Sequence, residues 1–293
     1  MADRFDVIEA GGRGRRRWVG VTVVVALVVI CAVNLLNRRE PAPMTDAEGP
    51  TPAPIRSLTR VQSEPNILTA PATRKGGDRV LRVVFPDGAR GEVRYPAELG
   101  LAEMGSRPFW GGWVDGRFRQ FVAPYLGEVE ITRGGQPIRS FTSNVTLWPR
   151  QAGGGSYGQV LLFAFGPWRL AVYDRGPGLT FEQRMTLARQ MKGRVTKDGY
   201  LVLAAGKDVR LAPPGTVVQG YPAGPQLWFG GGMGELVALV PTPGCASKAK
   251  MPAVTDGPGR RGEMVCRGDV LVAVTGPPEF RRTVLNDLRV TLR

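Results

Sequence analysis

From residue 79 to the C-terminus, glycine and proline cut the chain into apolar runs of four to eight residues, which restricts it to folds assembled from short strands. Val80 to Phe85 runs into Pro86-Asp87-Gly88 and Gly91 to Tyr95 returns, so the first runs predict a β-hairpin with its turn residues in place. Further strands are expected over Val129 to Thr132, Ser140 to Leu147, Val160 to Phe165, Trp168 to Tyr173 and Tyr200 to Ala204. Others are expected over Val217 to Tyr221, Leu236 to Val240, Met264 to Cys266, Val270 to Thr275 and Leu288 to Leu292. Two segments have helical spacing instead. One starts at Thr180, whose hydroxyl can cap the helix while Gln183 reaches back, and it is expected to bury Phe181, Met185, Ala188 and Met191. The other follows Gly276-Pro277-Pro278 and offers Phe280, Val284, Leu285 and Leu288 to a core.

Self-similarity narrows this expectation. The hairpin of residues 83–96 resembles 209–222, and both end in Tyr-Pro. Residues 146–167 resemble 226–243 through Leu-Trp, a triple glycine and an apolar strand. Residues 169–196 resemble 270–291 through a strand, Gly-Pro, a helix opening near Phe, and Arg-Val-Thr. All three matches fall in the same order, so the predicted fold class is α+β: a mostly antiparallel β domain that is a tandem duplication of a sheet-plus-one-helix unit, with copy 1 at 79–205 and copy 2 at 206–293. Two stretches are unshared and are therefore candidates for function: the residues between Pro96 and Leu147, and the segment from Cys245 to Cys266.

Ahead of this domain, Trp18 to Asn37 carries no charge, and at about 1.5 Å per residue it reaches about 30 Å, the thickness of a bilayer core. Arg13, Arg15, Arg16 and Arg17 precede it, and Leu35-Leu36 is followed by no small-residue cleavage site, which predicts an uncleaved signal anchor. The expectation is a cytoplasmic tail (1–17), one transmembrane helix (18–37) held in the lipid bilayer, a disordered Pro-rich stalk (38–78) and a C-terminal domain outside the plasma membrane. Cys245 and Cys266 then form an even pair suited to one disulfide in an oxidising compartment. The formal net charge is +14, most of it after residue 80, and arginine far outnumbers lysine, as in GC-rich bacterial genomes.

Little in the sequence offers catalysis. Histidine is absent, which removes the commonest general base and metal ligand. No cysteine cluster or carboxylate spacing suggests a metal, and no cofactor is implied. Ser247-Lys248 is an adjacent pair in a loop, and the triple glycines 153–155 and 230–232 read as turns or bulges. The first unshared stretch interleaves Phe109, Trp110, Trp113, Phe118 and Tyr125 with Arg107, Arg117 and Arg119, the chemistry of contact hot spots, although the same rings can equally turn inward and plug the sheet. The second holds Lys248, Lys250, Arg260 and Arg261. These residues predict a non-catalytic, membrane-anchored binding or scaffold protein of the bacterial cell envelope, whose partner is an envelope protein or an anionic cell-surface polymer; nucleic acid fits an outward-facing domain badly. The alternatives are an envelope enzyme using carboxylates or Ser-Lys, and a transmembrane regulator.

Overall fold

Antiparallel pairing organises the protein. The computed structural model describes residues 66–149, 157–176, 178–231, 234–256 and 261–293. Strands β1 (Ala72–Lys75), β2 (Asp78–Val84) and β3 (Arg90–Pro96) come first, followed by β4 (Ser106–Val114) and β5 (Arg117–Val122). Helix α1 (Glu128–Thr132) leads to β6 (Arg139–Thr142), β7 (Val145–Trp148), β8 (Tyr157–Phe165) and β9 (Trp168–Arg175). After α2 (Phe181–Gln190) come β10 (Met191–Val195), β11 (Leu201–Ala205), β12 (Val209–Leu211), β13 (Val217–Val218), β14 (Tyr221–Pro222), β15 (Gln226–Gly230) and β16 (Leu236–Pro241). The chain finishes with α3 (Cys245–Lys248), β17 (Glu263–Arg267), β18 (Val270–Thr275), α4 (Pro278–Asp287) and β19 (Arg289–Leu292).

One large sheet runs in the order β17-β18-β16-β15-β4-β5-β9-β8-β7-β6, with β12 also pairing on β4. A four-stranded sheet, β1-β2-β3-β19, and the hairpins β10-β11 and β13-β14 complete the pairing. Side chains alternate across the large sheet, and its inner face carries the two main cores. In one, Leu161, Phe163, Leu170 and Val172 meet Leu187 and Ala188 of α2 and Leu201 and Leu203 of β11. In the other, Val237, Leu239, Val272 and Val274 meet Leu81, Val83 and Val93 of the four-stranded sheet and Val284 of α4. Close approach at the middle depends on Gly111 in β4: a Cβ there would lie 2.6 Å from the Phe118 ring and 2.8 Å from the Ala223 carbonyl oxygen.

The Thr180 cap forms as the sequence implies, with Gln183 N–H donating to Thr180 Oγ1 (3.2 Å) and Thr180 N–H to Gln183 Oε1 (3.0 Å). Such a cap contributes about 1 kcal/mol. Phe181, in contrast, stands at the first helical position and points outward against Phe141, 45% exposed; Leu187 takes the buried place instead. Val129 to Thr132 is helix, not strand. Glu128 and Glu130 in the first turn favour the helix dipole, and Ile131 gains a buried seat against Trp148, Val160, Leu162 and Ala171. Those gains override the β-propensity of Val, Ile and Thr.

The predicted fold class is corrected in two respects. The described residues are mostly antiparallel β with few helices, and none of those helices is long and apolar enough to cross a membrane. Residues 18–37, on which the transmembrane helix, the lipid-bilayer contact and the single-pass plasma-membrane location were placed, lie outside the described residues, and those readings are withdrawn. Nor do two self-contained copies lie side by side. The large sheet passes without a break through both, and β19 pairs with β3, joining the C-terminus to the first hairpin. The proposed counterpart of β2-β3 behaves differently as well: β2 and β3 pair with each other, whereas β12 pairs with β4. The other two matched stretches do follow one local course: β7-β8-β9 then α2 and β10, and β15-β16-β18 then α4 and β19. Folded structure also starts earlier than residue 79, with β1 inside the segment read as stalk.

Candidate functional site

The outer face of the large sheet is covered in two places, and a cleft of about 580 Å³ lies between the covers. On one side α1 sits over Trp148, Val160 and Leu162 through Ile131. On the other, the loop closed by the Cys245–Cys266 disulfide (Cα–Cα 5.8 Å) lays Met251 and Val254 over Phe109, Trp228, Leu236 and Ala238. The volume is that of an ordinary ligand pocket.

Strand register builds the floor. Gln226 of β15 pairs with Phe109 of β4, Phe109 with Val122 of β5, and Val122 with Ala171 of β9, so one row of residues crosses four strands. Gln120 and Tyr173 continue the floor along β5 and β9. Phe109 stacks on Trp228 with ring centroids 4.6 Å apart and an interplanar angle of 18°. The Trp228 indole N–H donates to Gln226 Oε1 (2.8 Å), and Gln226 Nε2 donates to the Pro222 carbonyl (2.9 Å). This fixes a flat aromatic base with its polar atoms satisfied.

Each wall carries a carboxylate held by a tyrosine. The Tyr173 hydroxyl donates to Glu130 Oε1 (3.5 Å), whose Oε2 accepts from the Leu126 N–H (3.2 Å). Across the cleft, the Tyr221 hydroxyl donates to Asp256 Oδ2 (3.3 Å), tying the β13-β14 hairpin to the disulfide loop. Arg133, in the left-handed conformation that ends α1, is the third charged residue of the lining.

The candidate residues of the aromatic-arginine stretch are dispersed, because that stretch forms the central strands β4 and β5. Phe109 reaches the cleft floor. Arg107 is buried beneath it, its guanidinium 5.1 Å from the Trp228 ring and 5.8 Å from that of Tyr125, with Nη1 donating to the Ala123 carbonyl (3.0 Å). Trp110 faces the inner core and donates to the Ala212 carbonyl (2.6 Å). Trp113 and Phe118 pack together, with Arg210 4.1 Å from the Trp113 ring. Arg117 and Arg119 line a second hollow of about 380 Å³, which shares Gln120 and Tyr173 with the cleft. Arg119 Nη2 bonds Asp174 Oδ1 (3.1 Å), and Arg184 Nη2 bonds Asp174 Oδ2 (2.6 Å).

In the disulfide loop Lys248, Lys250 and Arg261 are exposed, and Arg260 lies outside the described residues. The Ser247 hydroxyl donates to the Gly244 carbonyl (3.1 Å) and Lys248 is exposed, so this pair does not face a cleft. Among the described residues no group of three or more Cys, Asp or Glu is placed to hold a metal ion.

Sequence reasoning did not single out Glu130, Tyr173, Tyr221, Gln226, Trp228 or Asp256 as site residues. Trp228 enters the sequence reading only as half of a repeated Leu-Trp, and Asp256 does not enter it. The available signal was coarser: α1 belongs to one unshared stretch and Asp256 to the other, and the fold brings these two to opposite walls of one cleft. Comparison with protein-family models, with curated proteins and with solved structures finds no match to this chain.

Proposed function

We propose that this protein is a non-catalytic binding domain that takes a protein partner in the cleft between α1 and the disulfide-closed loop. The observation that carries this reading is that two segments lying outside the matched stretches, 97–145 and 245–266, supply the cleft's opposite walls. Aromatic rings, planar amides and charged groups at the rim are the composition of protein contact sites. The disulfide supports a working place where thiols are oxidised.

Deleting the aromatic-arginine stretch cannot test this reading, because it removes β4 and β5 from the centre of the large sheet. The direct test is a photo-crosslinking side chain placed at Val254 or at Arg133, on the two walls, and at Lys75 on the edge strand β1 as a control. Crosslinks from both walls to one protein, and none from Lys75, are expected. A partner captured equally from Lys75, or from neither wall, overturns the reading.

One observation favours a second reading. Glu130 and Asp256 face the same cleft from opposite sides, the arrangement a hydrolase uses for general acid and base. Turnover of a glycoside or peptide ester substrate by the full chain, abolished by Glu130→Gln or Asp256→Asn, is the result that would install this reading over the first.

A further inference from the structure

The four-stranded sheet β1-β2-β3-β19 turns one face to the second core and the other to solvent. Leu81, Val83, Val93, Tyr95 and Val290 point inward; Arg82, Arg90, Arg94, Arg289 and Arg293 alternate with them and are exposed. Register gathers these arginines: Arg289 lies opposite Arg94, Arg82 lies opposite Glu92, and the Arg293 N–H donates to the Arg90 carbonyl (2.9 Å). Two strand spacings and four residues of β3 confine the arginine positions to an area of about 10 Å by 13 Å. The strands contribute two carboxylates to this face, Asp78 bonded by Arg94 and Glu92 bonded by Arg293. Arg289 donates to the Asn286 and Leu288 carbonyls, which leaves its charge uncompensated. Among the described residues, Arg82 and Arg90 meet no carboxylate. Five guanidiniums against two carboxylates make the face strongly positive.

We infer that this face binds a linear, base-free polymer of phosphate or sulfate groups, recognised by its charges alone. Arginine forks match tetrahedral oxyanions bidentately, and an array of them on a rigid sheet holds several successive groups of one chain. The only aromatic residue of the four strands is Tyr95, which is buried, so nucleic-acid bases find nothing to stack on. Apolar side chains on the face are limited to Val80, Val84 and Pro96, each half-buried, so a protein partner finds no anchor. The cleft opens on the far side of the large sheet, and this surface is independent of it.

The test is binding of the full chain to labelled heparin and to inorganic polyphosphate over a range of salt concentrations, with poly-glutamate and duplex DNA of equal charge as competitors. Binding that weakens steeply with salt is expected, and the tighter of the two probes tells sulfate from phosphate recognition. The Arg82→Ala/Arg90→Ala double variant should bind at least about tenfold more weakly, with the slope of log affinity against log salt reduced by about two. Lys248→Ala/Lys250→Ala removes the same charge from the disulfide loop and should change affinity by less than about threefold. Thermal melting of each variant shows that it is folded. Equal losses in the two double variants, or no binding of either probe, overturn the inference. Stronger competition by poly-glutamate or by duplex DNA than by the unlabelled probes also overturns it, in favour of an acidic protein or a nucleic acid.

Discussion

The stretches β7-β8-β9-α2-β10 and β15-β16-β18-α4-β19 take the same course, and they differ in how they are fastened and in what they leave on the outer face. In each, the fourth residue of the helix is an arginine that reaches back to the end of the preceding strand, Arg184 to the Asp174 carboxylate and Arg281 to the Gly276 carbonyl (2.5 Å); Arg281 also bonds Glu263 at the start of the neighbouring β17 (2.8 Å). The Asp174 side chain is 4% exposed and the Glu263 side chain 40%, so only the first fastening is a buried ion cluster. Between β8 and β9 the chain turns within Gly166-Pro167, whereas between β16 and β18 it leaves to form the disulfide loop. Inside, then, the two stretches solve one packing problem; outside, they diverge, and the divergence makes the cleft.

The largest effect that tests this comparison is expected from Asp174→Ala. It leaves two guanidiniums buried beside an empty site and should cost about 3–5 kcal/mol. The matching change in the second stretch, Glu263→Ala, should cost under about 1 kcal/mol, because the pair is half in solvent. Equal losses in denaturant unfolding of the two variants would erase the distinction.

Next, replacing both Cys245 and Cys266 by serine should lower stability by about 3 kcal/mol through the unfolded chain's regained freedom. Because this loop is one cleft wall, partner crosslinking from Val254 should fall with it, while α2 and its core should keep their hydrogen-exchange protection. Gly193→Ala should then cost about 1–3 kcal/mol, since a Cβ on β10 would lie 2.3 Å from the Phe165 ring of β8. A neutral melting temperature would mean that β10 does not press on the sheet as closely as described.

The smallest effect concerns the seam between the cores. Tyr200 stands before β11, in the first half, but packs into the second core, and its hydroxyl donates to the Arg82 carbonyl of β2 (2.9 Å). Burial first, and the nearby Asp198 charge second, push its phenol well above the usual tyrosine range. A raised folded-state value means that the folded protein holds the proton more tightly than the unfolded one. The associated stability is therefore complete below about pH 10 and is lost as pH rises through the folded value. Absorbance titration should show Tyr200 ionising last, together with unfolding, and Tyr200→Phe should flatten the alkaline loss of stability.

Local chemistry was read well where it is local. The hairpin at Pro86-Asp87-Gly88, the capping box at Thr180 and Gln183 and the burial of Val284 and Leu288 all depend on residues within a turn or two of one another. Phe181 was misplaced because helical spacing does not say where the helix face begins, and Val129 to Thr132 because Ile131 takes its conformation from a tryptophan on another strand. The run from Arg107 to Tyr125 looked like a decorated insertion since its glycines and arginines mask the alternation of a central strand pair.

The sequence by itself determined that this chain is built of short antiparallel strands with two capped or proline-started helices, that Cys245 and Cys266 pair, and that two stretches stand apart from the matched ones. Which strands neighbour one another, and hence that β19 closes on β3 and that Glu130 faces Asp256, was decided only by the tertiary structure. Turn and cap preferences act over a few residues and are written into them directly. Strand order is set by which apolar faces bury one another across the whole chain, and residues far apart in sequence become a site only after that choice is made.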